Sequence, residues 1–544
     1  MTSIALRLAL AILLAITALG FDRALPVRAV DASVERYGGA DRYATAALVS
    51  AAHFSPGVPA VYIATGGDFP DALAGGPPAA VAGAPILLVT RDAIPPATAQ
   101  ELSRLGPGRI VVLGGPGAIS DAVAGQLDAY DTGGGVTRLG GRDRYHTAAL
   151  ISEAHFAIGT DTAYVATGKL FPDALVGGVV AARSASPVLL THPLSLSPET
   201  EAELRRLAPR RIVVLGGPGA VSDAVAAALV PLATSGEVSR LAGQDRYATG
   251  VAASSTIPAP VGALFVATGR TFPDALVAVP AAARSNGALL LVPGGTTTEA
   301  IRAEAVRLAP GRLVLLGGYA VVTDRVTWDL RLAIGDMAPL PACVYQDVLT
   351  PFRSYDDWQR TLVDTIYRLP ADYYPGDLVD TSAAGVNGGY AVRNHVIGDL
   401  AALGSAARSA GRPIQLVSGF RSYQTQQQTF DYWVSVGGYE QALRTSARPG
   451  HSEHQLGTTV DVTSAGGAAP WNYADWAATP AGAWMAANAW RYGFVMSYPR
   501  GRFATVCYDY EPWHYRYVGR DAAYRIAVSG LTLREWLWLQ GNGG

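Results

Sequence analysis

Two short runs hold the residue types able to do chemistry together. One is Ser452 to Asp461, reading Ser-Glu-His-Gln-Leu-Gly-Thr-Thr-Val-Asp, and the other is Glu511-Pro512-Trp513-His514. His454, Asp461 and His514 offer two imidazoles and a carboxylate, a set that holds Zn²⁺ and leaves one coordination position for water. Zinc brings the pKa of such a water from 15.7 to about 7. Glu511 precedes His514 by three residues and lies outside the ligand set, where it can take that proton and pass it to a departing amine. The oxyanion formed on the way needs a cation. Arg421, in Ser418-Gly-Phe-Arg-Ser422, is the candidate, and its planar fork suits a substrate carboxylate equally well. A purely structural zinc site is disfavoured, because three ligands are evident and no thiolate joins them. His451 falls outside the pattern and is read as a surface residue or a support beside the ligands.

These side chains need elements to position them. Gly457 followed by Thr458, Thr459 and Val460 argues for a loop running into a strand rather than a helix. On that strand Thr459, Asp461 and Thr463 share one face, while Val460 and Val462 point to the core. Trp513, Tyr515 and Tyr517 alternate with His514 and Arg516, so His514 lies opposite an aromatic packing stripe. Pro512 removes a ladder donor and predicts that Glu511 sits near an open sheet edge. Helices are predicted over 356–368, 393–410 and 423–436, with a short strand over 415–418. A linker over 335–342 precedes this domain, which spans 343–540.

A chain of 544 residues is too long for one core, which predicts three or more domains. The composition, 49% hydrophobic and 16% charged, fits packed globular domains rather than disorder. A net charge of −2 and no basic cluster exclude a nucleic-acid partner on electrostatic grounds. At the start, Arg7 precedes an apolar stretch from Leu8 to Phe21, and Val27-Arg28-Ala29 offers a small-residue cleavage site. Residues 1–29 therefore read as an export signal, with no stable membrane span once it is removed. Cys343 and Cys507 are the only cysteines, and an exported protein permits a disulfide between them. Closing a loop of 164 positions contributes about 4–5 kcal/mol on the chain-entropy account.

The region before the linker repeats itself. Asp41-Arg42-Tyr43 returns as Asp143-Arg144-Tyr145 and Asp245-Arg246-Tyr247, at steps of 102 positions. Phe69-Pro70-Asp71-Ala72-Leu73 returns as Phe171 to Leu175 and Phe272 to Leu276, and Leu113-Gly114-Gly115 as Leu215 to Gly217 and Leu316 to Gly318. So long a period means three small domains, over 34–131, 136–233 and 238–334. In the first copy, strand-like runs at 60–64, 85–89 and 109–113 alternate with helix-like stretches at 72–81 and 97–105. Continuous apolar strands separated by helices predict a doubly wound α/β unit with a parallel sheet, three times over. The turn Leu113-Gly-Gly-Pro-Gly117 has no Walker lysine and reads as a tight strand-to-helix turn; the third copy replaces its Pro-Gly by Tyr319-Ala320. The Asp-Arg-Tyr triplets read either as a binding edge or as capping and packing.

On these motifs the copies resemble cell-wall-binding repeats of type 2. The resemblance implies three Rossmann- or toprim-like units packed as a pseudo-trimer that binds an anionic cell-wall polymer. Beyond the linker, Leu369-Pro-Ala-Asp-Tyr-Tyr-Pro375, Ser418-Gly-Phe-Arg-Ser-Tyr423, Pro449-Gly-His-Ser-Glu-His454, Tyr492-Gly-Phe494 and Glu511-Pro-Trp-His514 resemble zinc D-alanyl-D-alanine carboxypeptidases of the vancomycin-resistance accessory type. Their α+β fold is shared with lysostaphin and the Hedgehog signalling domain. By that resemblance His454, Asp461 and His514 are the zinc ligands, Glu511 is the catalytic base, and Arg421, Gln426 and Ser452 contact substrate. The expectation is a secreted, wall-associated enzyme that removes the terminal D-alanine of peptidoglycan stem peptides. An endopeptidase on the same zinc site and a non-catalytic surface protein are the competing readings.

Overall fold

Residues 32–68 and 70–542 are described by the computed structural model. The export signal expected over residues 1–29 lies outside the described residues, and no helix among them is long and apolar enough to cross a membrane.

Each repeat supplies three buried parallel strands, rich in Val, Ile and Leu, to a four-stranded sheet, but no repeat completes its sheet alone. Ile86–Val89, Val61–Thr65 and Ile110–Leu113 are joined at the edge by Val136–Leu139, the first strand of the second copy. Glu237–Leu241 completes the second sheet in the same way. The third is closed by the first described strand, Ser33–Tyr37, which pairs with Arg312–Leu316. Exchange of edge strands thus runs round a ring, and every copy covers an edge that would otherwise be an open template for pairing. The helices Gly76–Val81, Pro172–Arg183 and Pro273–Arg284 meet in the middle of the ring. Gly76 permits this approach, since a Cβ there would lie 2.7 Å from Val279 Cγ1.

The repeated triplets turn out to build the copies themselves. Asp41, Asp143 and Asp245 each cap the following helix, accepting hydrogen bonds from two backbone N–H groups. The adjacent Arg42, Arg144 and Arg246 donate to the carbonyls of Gly66, Gly168 and Gly269. The Leu-Gly-Gly turns need glycine sterically: Gly114 has φ +102°, and a Cβ there would sit 2.5 Å from Asp71 Oδ2. The helix expected over 72–81 is broken into Pro70–Leu73 and Gly76–Val81, where two successive prolines, Pro77 and Pro78, supply no N–H; the single Pro280 at the matching place leaves the third copy's helix continuous. The second and third copies keep it unbroken.

The deviant third turn also has a structural reason. Tyr319 lies between the guanidinium of Arg36, 4.2 Å from its ring centre, and that of Arg525, 4.1 Å away in the C-terminal domain. Beside it buried Asp324 accepts from Arg525 Nε and Trp536 Nε1, both at 2.9 Å. Trp328 and Met337 pack with Trp536 and Trp538, so residues 335–342 run along a filled joint between the ring and the C-terminal domain.

In that domain four antiparallel strands lie in the order Ile414–Ser418, Thr459–Ser464, His514–Tyr517, Phe494–Met496. The helix Asn394–Ser409 covers one face, packing Val396, Leu400 and Leu403 on Leu416, Val460, Val462 and Tyr515. The helix Tyr423–Gly437 follows the first strand. Cys343 and Cys507 are joined in a disulfide. The helix expected over 356–368 does not form. Only Tyr355–Asp357 makes a single 3₁₀ turn, and Tyr367–Arg368 is a strand. Tertiary partners take the groups such a helix would use: Arg516 binds the carbonyls of Trp358 and Thr361, and Asp364 Oδ1 accepts from the N–H groups of Ile366 and Tyr367.

Candidate metal centre

The two central strands bring the chemistry together. Asp461 and His514 are directly opposite each other in the antiparallel register, and Ser418 pairs with Asp461 on its other side. His454 arrives from a 3₁₀ turn, Glu453–Leu456, which ends at Gly457 with φ +71°. At that position a Cβ would press to 2.9 Å from Arg393 Cγ, so both conformation and space require glycine.

His454 Nδ1 is held by the Gly419 carbonyl at 2.7 Å, which turns Nε2 to within 3.2 Å of Asp461 Oδ2. His514 presents its other nitrogen: Nδ1 lies 3.2 Å from Asp461 Oδ1, while Nε2 is bonded elsewhere. The three candidate ligand atoms lie within 4.8 Å of one another. His454 Nε2 and Asp461 Oδ1 are buried without a hydrogen-bond partner. Buried polar atoms of that kind are costly unless something satisfies them. A divalent cation between them does so, and the mixed nitrogen and oxygen set is one that Zn²⁺ accepts. The residues present fit the metal that the sequence predicted.

Electrostatics agree with that arrangement. Burial, with Arg421 nearby, depresses His454 to about 4, leaving a neutral imidazole free to ligate. Burial opposes ionisation of Asp461, but His454 and His514 outweigh it and hold the carboxyl well below its usual range. For His514 burial favours the neutral ring, yet Asp461 and Glu453 raise it to about 10.

Glu511 has its Oε2 3.6 Å from His514 Nδ1. Burial raises it to about 7, with His514 and Arg421 pulling the other way. It is not at an open edge. The His514 strand lies inside the sheet, and Glu511 precedes it, donating its N–H to the Tyr498 carbonyl. A cleft of about 790 Å³ opens in front of these groups, lined by Arg421, Ser452, Trp471, Tyr498, Tyr510 and Trp513 among others. Arg421 donates Nε to Gln426 Oε1 at 2.9 Å and Nη1 to Ser418 Oγ at 2.8 Å, with Asp461 Oδ2 3.6 Å away. Gln426 is wholly buried behind that guanidinium, also donating to the Ala447 carbonyl, so it reaches the cleft only through Arg421. Ser452 Oγ accepts from the His454 N–H.

His451 is neither a surface residue nor a support for the ligands. It is buried, bridging the Asp364 carbonyl and Asp347 Oδ1 and pinning the start of the domain. Sequence reasoning placed Arg516 on the strand face of His514 without giving it a role, and gave none to Glu453, Ser497 or Tyr498. Tyr498 packs its ring on His514 with centroids 4.7 Å apart. The available signal was Arg516 itself: a guanidinium on a strand of tyrosines must find a buried carboxylate.

Segments of the chain match known families. Residues 389–520 match the D-alanyl-D-alanine carboxypeptidase family, and residues 36–124, 138–226 and 240–327 each match cell wall binding domain 2. The putative carboxypeptidase YodJ of Bacillus subtilis is 38% identical over 180 residues, covering 32% of this chain and 65% of that protein. A D-alanyl-D-alanine carboxypeptidase of Enterococcus faecalis is 32% identical over 190 residues, covering 33% and 66%. The chain thus spans just under two thirds of the length of either relative. Cwp8 from Clostridium difficile superposes with a TM-score of 0.52 at 25% identity, over 56% of this chain and 52% of its own.

Proposed function

We propose that this chain, whose residues 389–520 match the D-alanyl-D-alanine carboxypeptidase family and whose three repeats match cell wall binding domain 2, is a secreted zinc carboxypeptidase. It removes the terminal D-alanine from peptidoglycan stem peptides while the repeats hold it to an anionic polymer of the wall. The observation that carries this reading is the buried His454–Asp461–His514 cluster, with two unsatisfied ligand atoms, facing a cleft that also holds Glu511 and Arg421.

His454 Nε2, Asp461 and His514 Nδ1 would hold zinc, which supplies Lewis acidity toward water and toward the scissile carbonyl. Glu511 Oε2 takes the proton of the attacking water and returns it to the leaving amine, a role worth roughly 10²–10⁴ in rate. Its raised affinity for protons suits both halves of that exchange. Arg421 is the only arginine lining the cleft among the described residues, and Gln426 and Ser418 fix its fork. That fork receives the free carboxylate of the substrate, which favours an exopeptidase over an endopeptidase. Binding to the wall raises the effective concentration of the site at its polymeric substrate.

The test is a digest of purified muropeptides read by mass spectrometry. Loss of one terminal D-alanine from pentapeptide stems is expected. Internal or cross-link cleavage would replace this reading with the endopeptidase, and no hydrolysis at all would leave a wall-bound protein without enzyme activity.

A further inference from the structure

We propose that Glu453 is a positioning residue of the metal centre: it holds the Nε2–H of His514 so that the Nδ1 lone pair faces Asp461 and His454. The inference rests on the metal site above and adds a residue to it. Glu453 is the immediate neighbour of His454 in the chain, yet its side chain reaches the other histidine. Its Oε2 accepts from His514 Nε2 at 3.0 Å and from Ser497 Oγ at 2.5 Å. Its Oε1 accepts from Arg516 Nη1 at 3.1 Å. All of these groups are buried, Arg516 completely.

A neutral imidazole has one N–H and one lone pair, and its partner decides which nitrogen carries which. An ionised carboxylate only accepts, so against Nε2 it puts the proton there and leaves Nδ1 as the ligand atom. His454 is set in the opposite sense by a neutral acceptor, the Gly419 carbonyl on Nδ1. One histidine therefore uses a carbonyl and the other a full negative charge, which makes the second the more basic ligand. Burying that charge would be costly were it unpaired. Arg516 compensates it, and is itself anchored by the carbonyls of Trp358 and Thr361 in the segment where a helix was expected. Register supports the arrangement: Arg516 follows His514 by two residues on one strand, so both side chains point to the face where Glu453 lies.

The experiment titrates Zn²⁺ into metal-free full-length protein in competition with a chromophoric chelator, and records the visible spectrum of the Co²⁺ form. Glu453→Gln is expected to weaken zinc binding about 10–100-fold and to alter the cobalt spectrum. Because that variant leaves Arg516 unpaired, the double variant Glu453→Gln/Arg516→Met is measured beside it, with thermal unfolding of each. The double variant is expected to unfold near the wild-type temperature and still to bind zinc at least tenfold more weakly. Ser497→Ala, which keeps the carboxylate, is expected to bind within about threefold of wild type. Zinc affinity and a cobalt spectrum unchanged in the double variant would overturn the proposal. Wild-type protein that takes up no zinc would instead overturn the metal site, and the positioning role with it.

Discussion

Replacing Glu511 by glutamine separates the chemistry of the site from its stability, because the two should change in opposite directions. In the metal-free protein burial raises Glu511 from the usual 4.5 to about 7. Below pH 4.5 the carboxyl is protonated folded or unfolded and contributes no pH dependence. Between 4.5 and 7 the native state holds a proton that the unfolded state has released, so stability falls as pH rises. Above 7 the loss is complete. The interval from 4.5 to about 7, at about 1.4 kcal/mol per pH unit, corresponds to about 3 kcal/mol. Glu511→Gln removes the ionisation and keeps the shape. Urea unfolding of chelator-treated protein, followed by tryptophan fluorescence, should show the variant more stable than wild type by up to about 3 kcal/mol at pH 8 and equal to it at pH 4.5. Hydrolysis by the zinc-loaded variant should fall roughly 10²–10⁴-fold. A variant no more stable than wild type at pH 8, or a gain that does not depend on pH, would refute the placement of this carboxyl in a desolvated site. Retained activity would refute its role as base.

Other consequences follow from particular contacts. Arg421→Lys keeps the charge but loses the fork held by Gln426 and Ser418, and kcat/KM on acyl-D-Ala-D-Ala should drop at least tenfold. If a C-terminally amidated substrate loses as much in the same variant, Arg421 does not read the carboxylate. At the joint, Asp324→Ala leaves Arg525 and Trp536 without their acceptor and should cost about 3–5 kcal/mol, seen as a lower urea midpoint for the full chain. Deleting the strand Ser33–Tyr37 should open the ring at the third sheet and reduce sedimentation of the repeats with purified walls. Undiminished binding would show that the ring need not be closed.

The candidate metal centre was more legible than the scaffold around it. Residue type and spacing alone nominated His454, Asp461, His514 and Glu511, and β-branched residues after Gly457 correctly indicated a strand entering the site. Alternation at Trp513 to Tyr517 likewise separated His514 and Arg516 from the aromatic face. Local patterns failed where distant partners decide. The segment after Tyr355 has helical periodicity, but its carbonyls are claimed by Arg516 from 155 and 158 residues away. Glu453 was hidden because a side chain beside a ligand in sequence is expected to lie apart from the other ligand in space. The exchange of edge strands was invisible for a related reason: similar copies give no sequence signal as to whose strand completes which sheet. Even the departure at Tyr319 carried its meaning only once Arg36 and Arg525 were found on either side of it.

The most direct test of the whole account is metal dependence. Protein purified without added metal should carry close to one zinc per chain by elemental analysis. Dialysis against a strong chelator should abolish release of D-alanine from pentapeptide muropeptides, and one equivalent of Zn²⁺ should restore it. His514→Ala should neither retain the zinc nor respond to its return. Full activity in exhaustively chelated protein, or stoichiometric zinc and turnover in His514→Ala, would contradict the assignment of His454, Asp461 and His514 as the catalytic metal site.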